Sequence, residues 1–279
     1  MPLINTEDKL IAALEAAPSR RSFMKFSGSS EGGGTFLSLW KVGSEPPAGA
    51  NPPLFSAGAG YVATKATLGA RAMVDAVVNG DLSLLKLAFS ATNTGVLFVY
   101  DRIWACSGFN TTVLTAQAVT TPGTLPVGRN PNGGLDVEPW LEIYTAPGAT
   151  AATWTLTGTD ALGNVNRTWT YAHPANPETV GQMAPFAPGG ATPAAVNGCR
   201  EVTSLTCSVS SALAGDVGVT LLRRLMAAPH LSLGAGAVLD ALATGLPPVF
   251  NDSCIAMMIF CSSTSNTSYI GDLVIGEAP

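Results

Sequence analysis

Residues 152–171 read ATWTLTGTDALGNVNRTWTY. Thr153, Thr155 and Thr157 alternate with Trp154 and Leu156. Past a polar centre, Thr168 and Thr170 alternate with Trp169 and Tyr171. A period of two sends successive side chains to opposite faces of a strand. With Ala161–Asn164 as the loop, antiparallel pairing sets Trp154 against Tyr171 and Leu156 against Trp169. One face is then aromatic and the other is threonine. A ribbon with one apolar and one polar face belongs in an antiparallel sheet, and no residue in it calls for a catalytic explanation.

The same texture extends outward in both directions. LSLLKLAFSA (82–91) and GVLFVYDRIWAC (95–106) are the strongest strands, and WLEIYTA (140–146) precedes the hairpin. REVTSLTCSVS (200–210), GVTLLRRLMA (218–227), CIAMMIFC (254–261) and SYIGDLVIG (268–276) follow it. Toward the N-terminus, RRSFMKFS (20–27) and TFLSLWKV (35–42) read as strands around the loop SGSSEGGG. TEDKLIAALEAA (6–17) is the one helix. Thr6 caps it, Glu7 and Asp8 suit its positive end, Pro18 stops it, and Leu10, Ile11 and Leu14 form its apolar face. GSEPPAGANPPLFSAGAG (43–60), with two Pro-Pro pairs, reads as an extended arm. Strands punctuated by Gly, Pro, Asn and Asp, with little helix between, predict a mainly β chain. The expected form is a jelly-roll-like antiparallel β-sandwich with an N-terminal helix and an extended Pro/Gly-rich arm. The expected division is residues 1–80 for helix and arm and 81–279 for the sandwich.

Composition narrows the function. Charged residues are 12% of the 279, against about 25% in an average soluble domain. Hydrophobic residues are 47%, which argues against disorder. The most apolar long stretch, residues 61–78, carries Lys65, Arg71 and Asp75, so no membrane partner is expected. Glu7, Asp8 and Lys9 near the start argue against a secretory signal. Net charge is −5, and the nearest thing to a basic patch is Arg20-Arg21 with Lys25, read as a solvated helix exit. No nucleic-acid partner is expected. So few charges fit a chain that buries surface against copies of itself, because interface cores are poor in charge.

Several motifs invite a chemical reading. Gly28-Ser29-Ser30-Glu31-Gly32 fits GxSxG, and Asp136 and His230 follow in the order of a hydrolase triad. A nucleophile elbow needs a strand before it and a helix after it, whereas GGGTFLSLW follows here. Gly58-Ala59-Gly60-Tyr61-Val62-Ala63 fits GxGxxG/A but lacks a preceding buried strand. Asp136, Glu138 and Glu142 lie close in sequence and read as a solvated acidic loop, without EF-hand spacing. Asp101 and Arg102 point to opposite faces of one strand, with one of them buried and paired, and read as an edge or interface pair. Cys106, Cys199, Cys207, Cys254 and Cys261 read as free buried thiols, and His173 and His230 fit no zinc pattern with them. Trp40, Trp104, Trp140, Trp154 and Trp169 sit in strand-like contexts and read as core. No catalytic, cofactor-binding or metal-binding residue is expected.

GVLFVYDRIW (95–104), GVTLLRRLMAAP (218–229) and GLPPVFNDSCIAMMIFCSSTSNTSYIGDLVIGEA (245–278), with the opening TEDKLIAALEAA, resemble a largely uncharacterised family of tailed-bacteriophage proteins encoded among head and structural genes. The resemblance implies a non-enzymatic virion structural protein that decorates or cements the capsid. Its implied partners are its own copies, as a homotrimer, and the major capsid protein. A tail, neck or host-binding virion protein is the alternative, and a serine hydrolase using Ser30 and His230 a remote one.

Overall fold

The computed structural model describes residues 4, 6–26, 33–50, 58–76, 82–120, 125–130, 132–175, 178–189, 198–262 and 267–277. Helix α1 (Glu7–Ala16) leads to strands β1 (Ser19–Phe26), β2 (Phe36–Ser38), β3 (Ser44–Glu45) and β4 (Gly60–Val62). The long strands β5 (Leu82–Ala91) and β6 (Gly95–Asn110) follow, then β7 (Gln117–Ala118) and a 3₁₀ turn at Val127–Arg129. Next come β8 (Val137–Thr145), β9 (Ala152–Thr159), β10 (Arg167–His173), β11 (Gln182–Pro185), β12 (Ala187–Pro188) and β13 (Glu201–Cys207). The chain ends through β14 (Asp216–His230), β15 (Gly236–Asp240), helix α2 (Ala241–Thr244), β16 (Pro248–Val249), β17 (Ile255–Cys261) and β18 (Ser268–Glu277). The protein is mainly β and antiparallel, with an N-terminal helix, as the alternation predicts.

Two compact units divide the chain, and both are discontinuous in sequence. The first takes residues 1–49, 64–101 and 224–279, and the second takes 50–63 and 102–223. A single cut after residue 80 therefore does not describe them.

In the first unit, β15, β5, β18, β1 and β3 lie side by side in that order, and β16 also pairs with β5. β17 pairs with both β2 and the Gly95–Asp101 part of β6. The core gathers Phe23, Leu84, Leu87, Phe89, Leu97, Val99, Met257 and Leu273. The run LSLLKLAF explains one detail of this packing. Leu82 and Leu84 face this core, and so do Leu87 and Phe89, although an odd spacing separates the two pairs. The register between β5 and β18 shifts where Ile275 meets Leu84 and Val274 meets Lys86, which leaves Leu85 as an extra residue. That bulge resets the phase of alternation and turns Leu85 to a second cluster with Leu10, Ala13 and Val274. Helix α1 thus docks through Leu10 and Ala13. Ile11, expected on its apolar face, is exposed, because residues one apart on a helix do not share a face. Thr6 caps the helix by accepting from Lys9 N–H at 3.3 Å.

The second unit holds a sheet in the order β12-β10-β9-β13-β7. Trp154 pairs with Tyr171 and Leu156 with Trp169, as the sequence predicts. Trp154, Leu156 and Trp169 enter a core with Trp104, Phe109, Leu141, Ile143, Leu205 and Val219, and Tyr171 packs against it half-buried. The hairpin loop is wider than four residues, since pairing stops at Gly158 and Arg167. Asp160 organises it: its carboxylate accepts from Leu162 N–H at 3.0 Å and from Asn164 N–H at 2.9 Å. Burial alone would raise the Asp160 pKa, but these donors and Arg167 outweigh it and hold the carboxyl below its usual range. β14 pairs with β8 in the same unit, and β8 with β11.

Candidate functional site

The most concentrated polar chemistry lies inside the second unit. β8 carries Glu142 and Tyr144 two residues apart, hence on one face, and β6 and β14 bring Arg102 and Thr220 to the same place. The Oε2 atom of Glu142 receives the Arg102 guanidinium at 2.8 Å, the Tyr144 hydroxyl at 2.7 Å and the Thr220 hydroxyl at 2.7 Å. Arg102 Nη2 donates to the Tyr144 oxygen at 2.9 Å, closing the ring of contacts. All four side chains are buried. Burial pushes the Glu142 pKa up, but Arg102 and the two hydroxyls outweigh it, so Glu142 is held below the ordinary carboxylate range. The Tyr144 hydroxyl is pushed well above its usual value by burial and by the Glu142 charge. Gly218, opposite Glu142 on β14, makes room: a Cβ there would lie 2.1 Å from the Cys106 carbonyl oxygen and 2.6 Å from the Tyr144 ring. The four side chains form a buried ion pair bridged by two hydroxyls.

Several other titratable groups are also paired. In the first unit Lys25 is 1% exposed, and its ammonium donates to the Val42 carbonyl at 3.0 Å and to the Pro46 carbonyl. Burial lowers its pKa from 10.5 to about 8. Arg71 is paired with Glu45, and Lys65 with Asp75. In the second unit His173 Nδ1 lies 3.1 Å from Glu178 Oε1, which also accepts from the Tyr171 hydroxyl at 2.9 Å. The bond to Glu178 raises the affinity of His173 for a proton.

The structure corrects several sequence expectations. Lys25 is not a solvated cation beside Arg20 and Arg21, since it occupies an inward position of β1 while the two arginines stay exposed. Glu142 is not part of a solvated acidic loop. Asp136 is exposed and Glu138 half-buried, but β8 is covered on both faces from Pro139 to Tyr144, which buries Glu142. Asp101 and Arg102 are not an edge pair, because both are buried with separate partners. Asp101 accepts from the Ser253 hydroxyl at 2.7 Å and from Cys254 N–H at 3.0 Å.

The hydrolase motif Gly28–Gly32, with Ser30, lies outside the described residues. His230 is buried, with Nδ1 2.9 Å from the Asn93 carbonyl and Nε2 2.6 Å from the Ala235 carbonyl. Gly60–Val62 of the GxGxxG-like stretch form β4 against β6, so no helix follows to receive a phosphate. All five cysteines are free and buried, and all five tryptophans are buried. Among the described residues, no three His, Cys, Asp or Glu side chains gather as a metal site, and no helix is long and apolar enough to cross a membrane.

No family model matches this chain, and no curated protein matches it. Among solved structures, it is similar to the VP2 subviral particle of infectious bursal disease virus at 9% identity. That alignment covers 95% of this chain and 81% of the other, with a TM-score of 0.19. A point mutant of the same VP2 in T=1 particles aligns at 8% identity over 99% of this chain and 80% of the other, with a TM-score of 0.16. Both are viral capsid proteins, and at these scores the likeness carries no argument about this chain.

Proposed function

We propose that this protein is a non-enzymatic structural subunit of a virus particle, and specifically a decoration or cement protein on the head of a tailed phage. It acts as a homotrimer seated on the major capsid protein. The observation that carries the reading is how polar and apolar groups are distributed. Charge is scarce, and some of it is locked inside the framework in Arg102–Glu142, Asp101 and Lys25. Large aliphatic side chains such as Val127, Leu213, Leu231 and Leu233 stand exposed. A chain built this way is suited to covering surface with neighbours rather than to handling a polar substrate. The resemblance in sequence texture to tailed-phage structural proteins supports the same reading.

The buried tryptophans bear on the host-binding alternative, which would expose aromatic side chains in a groove or loop. Light scattering coupled to size exclusion tests the proposal. A threefold assembly, a trimer or a pair of trimers, that also sediments with tailed-phage heads is expected. A monomer that ignores heads would overturn it and redirect attention to a tail or receptor-binding role.

A further inference from the structure

Sheets end in edges, and exposed edges invite pairing with another chain. Proteins blunt them with very short strands, charge or proline. Three edges of this protein follow that rule. β3 has two residues, is followed by Pro46-Pro47 and carries Glu45. β12 is the two-residue Ala187–Pro188, and β7 the two-residue Gln117–Ala118. β15 does not follow it. It spans five residues, Gly236–Asp240, and is the outermost strand of its sheet; among the described residues nothing pairs with its outer edge. Residues 231–242, LSLGAGAVLDAL, contain no proline and a single charge, Asp240. That carboxylate is turned to local use, accepting from Ala243 N–H at 3.0 Å to cap α2. Val238 is 62% exposed at the centre of the strand, and Leu231 and Leu233, at 84% and 67%, stand just before it.

We infer that the outer edge of β15 is a twofold contact at which it pairs antiparallel with β15 of a second copy of this chain. The sequence of the strand fits itself. With the axis at Val238, Val238 meets Val238 of the other copy on the outer face. Ala237 meets Leu239 on the inner face, a small residue against a large one, and Gly236 meets Asp240. Ala237 and Leu239 already pack half-buried against the core of the first unit, so pairing extends that core face across the axis. With its one charge used as a helix cap, the edge has nothing to select a partner of opposite sign, and nothing central to repel its own copy. The inference rests on the self-assembly part of the proposed function. The contact is twofold and therefore distinct from the threefold of a trimer: it joins two monomers, or two trimers.

The test is sedimentation velocity of the full chain and of Val238→Lys, with thermal melts to confirm that both fold. The expected result is that Val238→Lys halves the native mass, from dimer to monomer or from hexamer to trimer. A self-associated wild type whose mass Val238→Lys leaves unchanged overturns the edge contact while the assembly reading stands. A wild-type monomer at every concentration overturns both. Val238→Cys gives a second readout should the lysine variant fail to fold. Cross-strand partners sit within disulfide reach, about 4.5–5.5 Å between Cα atoms, so mild oxidation should yield a linked dimer. Ile270→Cys, on an interior strand of the same sheet, should not, and equal linkage from both variants overturns the assigned register.

Discussion

Lys25 offers a sharp test of how the first unit is held together. Its ammonium is buried against the carbonyls of Val42 and Pro46, and burial lowers its pKa from 10.5 to about 8. Each tenfold change in proton affinity is worth about 1.4 kcal/mol, so the shift amounts to at most about 3 kcal/mol of stability. The sign follows from proton occupancy. Between pH 8 and pH 10.5 the unfolded chain keeps the Lys25 proton and the folded chain gives it up. Stability from this group therefore rises with pH across that window, whereas a lysine whose pKa is raised by a carboxylate partner loses stability only above pH 10.5. Other groups work in the opposite direction: burial pushes the Cys106 and Cys199 thiols up to about 12, and unfolding lets them ionise earlier. The measurement is accordingly a difference between urea unfolding of the wild type and of Lys25→Met at a series of pH values. Relative to the variant, the wild type should gain about 3 kcal/mol from pH 8 to pH 10.5. Two curves that stay parallel would refute the claim that this lysine is held in a dry site.

Three further outcomes are expected. Glu142→Gln or Arg102→Met alone should cost about 3–5 kcal/mol in chemical unfolding by stranding a buried partner, and the pair Arg102→Met with Glu142→Leu should recover most of that loss. Gly218→Ala should lower the melting temperature, because its Cβ would lie 2.1 Å from the Cys106 backbone oxygen, which cannot rotate away; overpacking of this kind costs about 1–3 kcal/mol or more. A thiol reagent should find none of the five cysteines in the folded protein and all five after denaturation, and a fast-reacting thiol in the native state would contradict their burial.

The register of the hairpin at 152–171, though not the width of its loop, was legible because alternation and pairing are both local. Two aromatic faces separated by a turn admit one register that buries them together. Local alternation also located β5, β17 and β18 to within a residue. It failed where the decision is made by distant partners. TFLSLWKV became the three-residue β2, since the chain turns at Leu39 and Trp40 and Gly49 packs directly on the Trp40 indole. β11 and β15 carry too weak a pattern to stand out. The charged residues were hardest. A period of two says that Asp101 and Arg102 face opposite ways, but not that both faces are covered, nor that Ser253 and Glu142 wait there. Leu84-Leu85 held a readable signal: adjacent leucines in a run that changes phase mark a bulge.

The pairing of β1 with β18 sets Ser19 opposite Ile275, near the two ends of the sequence. On a ribosome, β1 emerges long before its neighbour exists, since the facing residues Ser22 and Asp272 are 250 positions apart. Its other partner, β3, offers only two residues meanwhile. Closing so long a loop adds little to the equilibrium cost, since loop entropy grows only with the logarithm of length, but it delays the moment at which the first unit can form. β18 lies between β1 and β5, so a chain released before residue 268 leaves both without their shared neighbour. Incomplete products are thereby barred from displaying a finished first unit, a proofreading step at the level of synthesis.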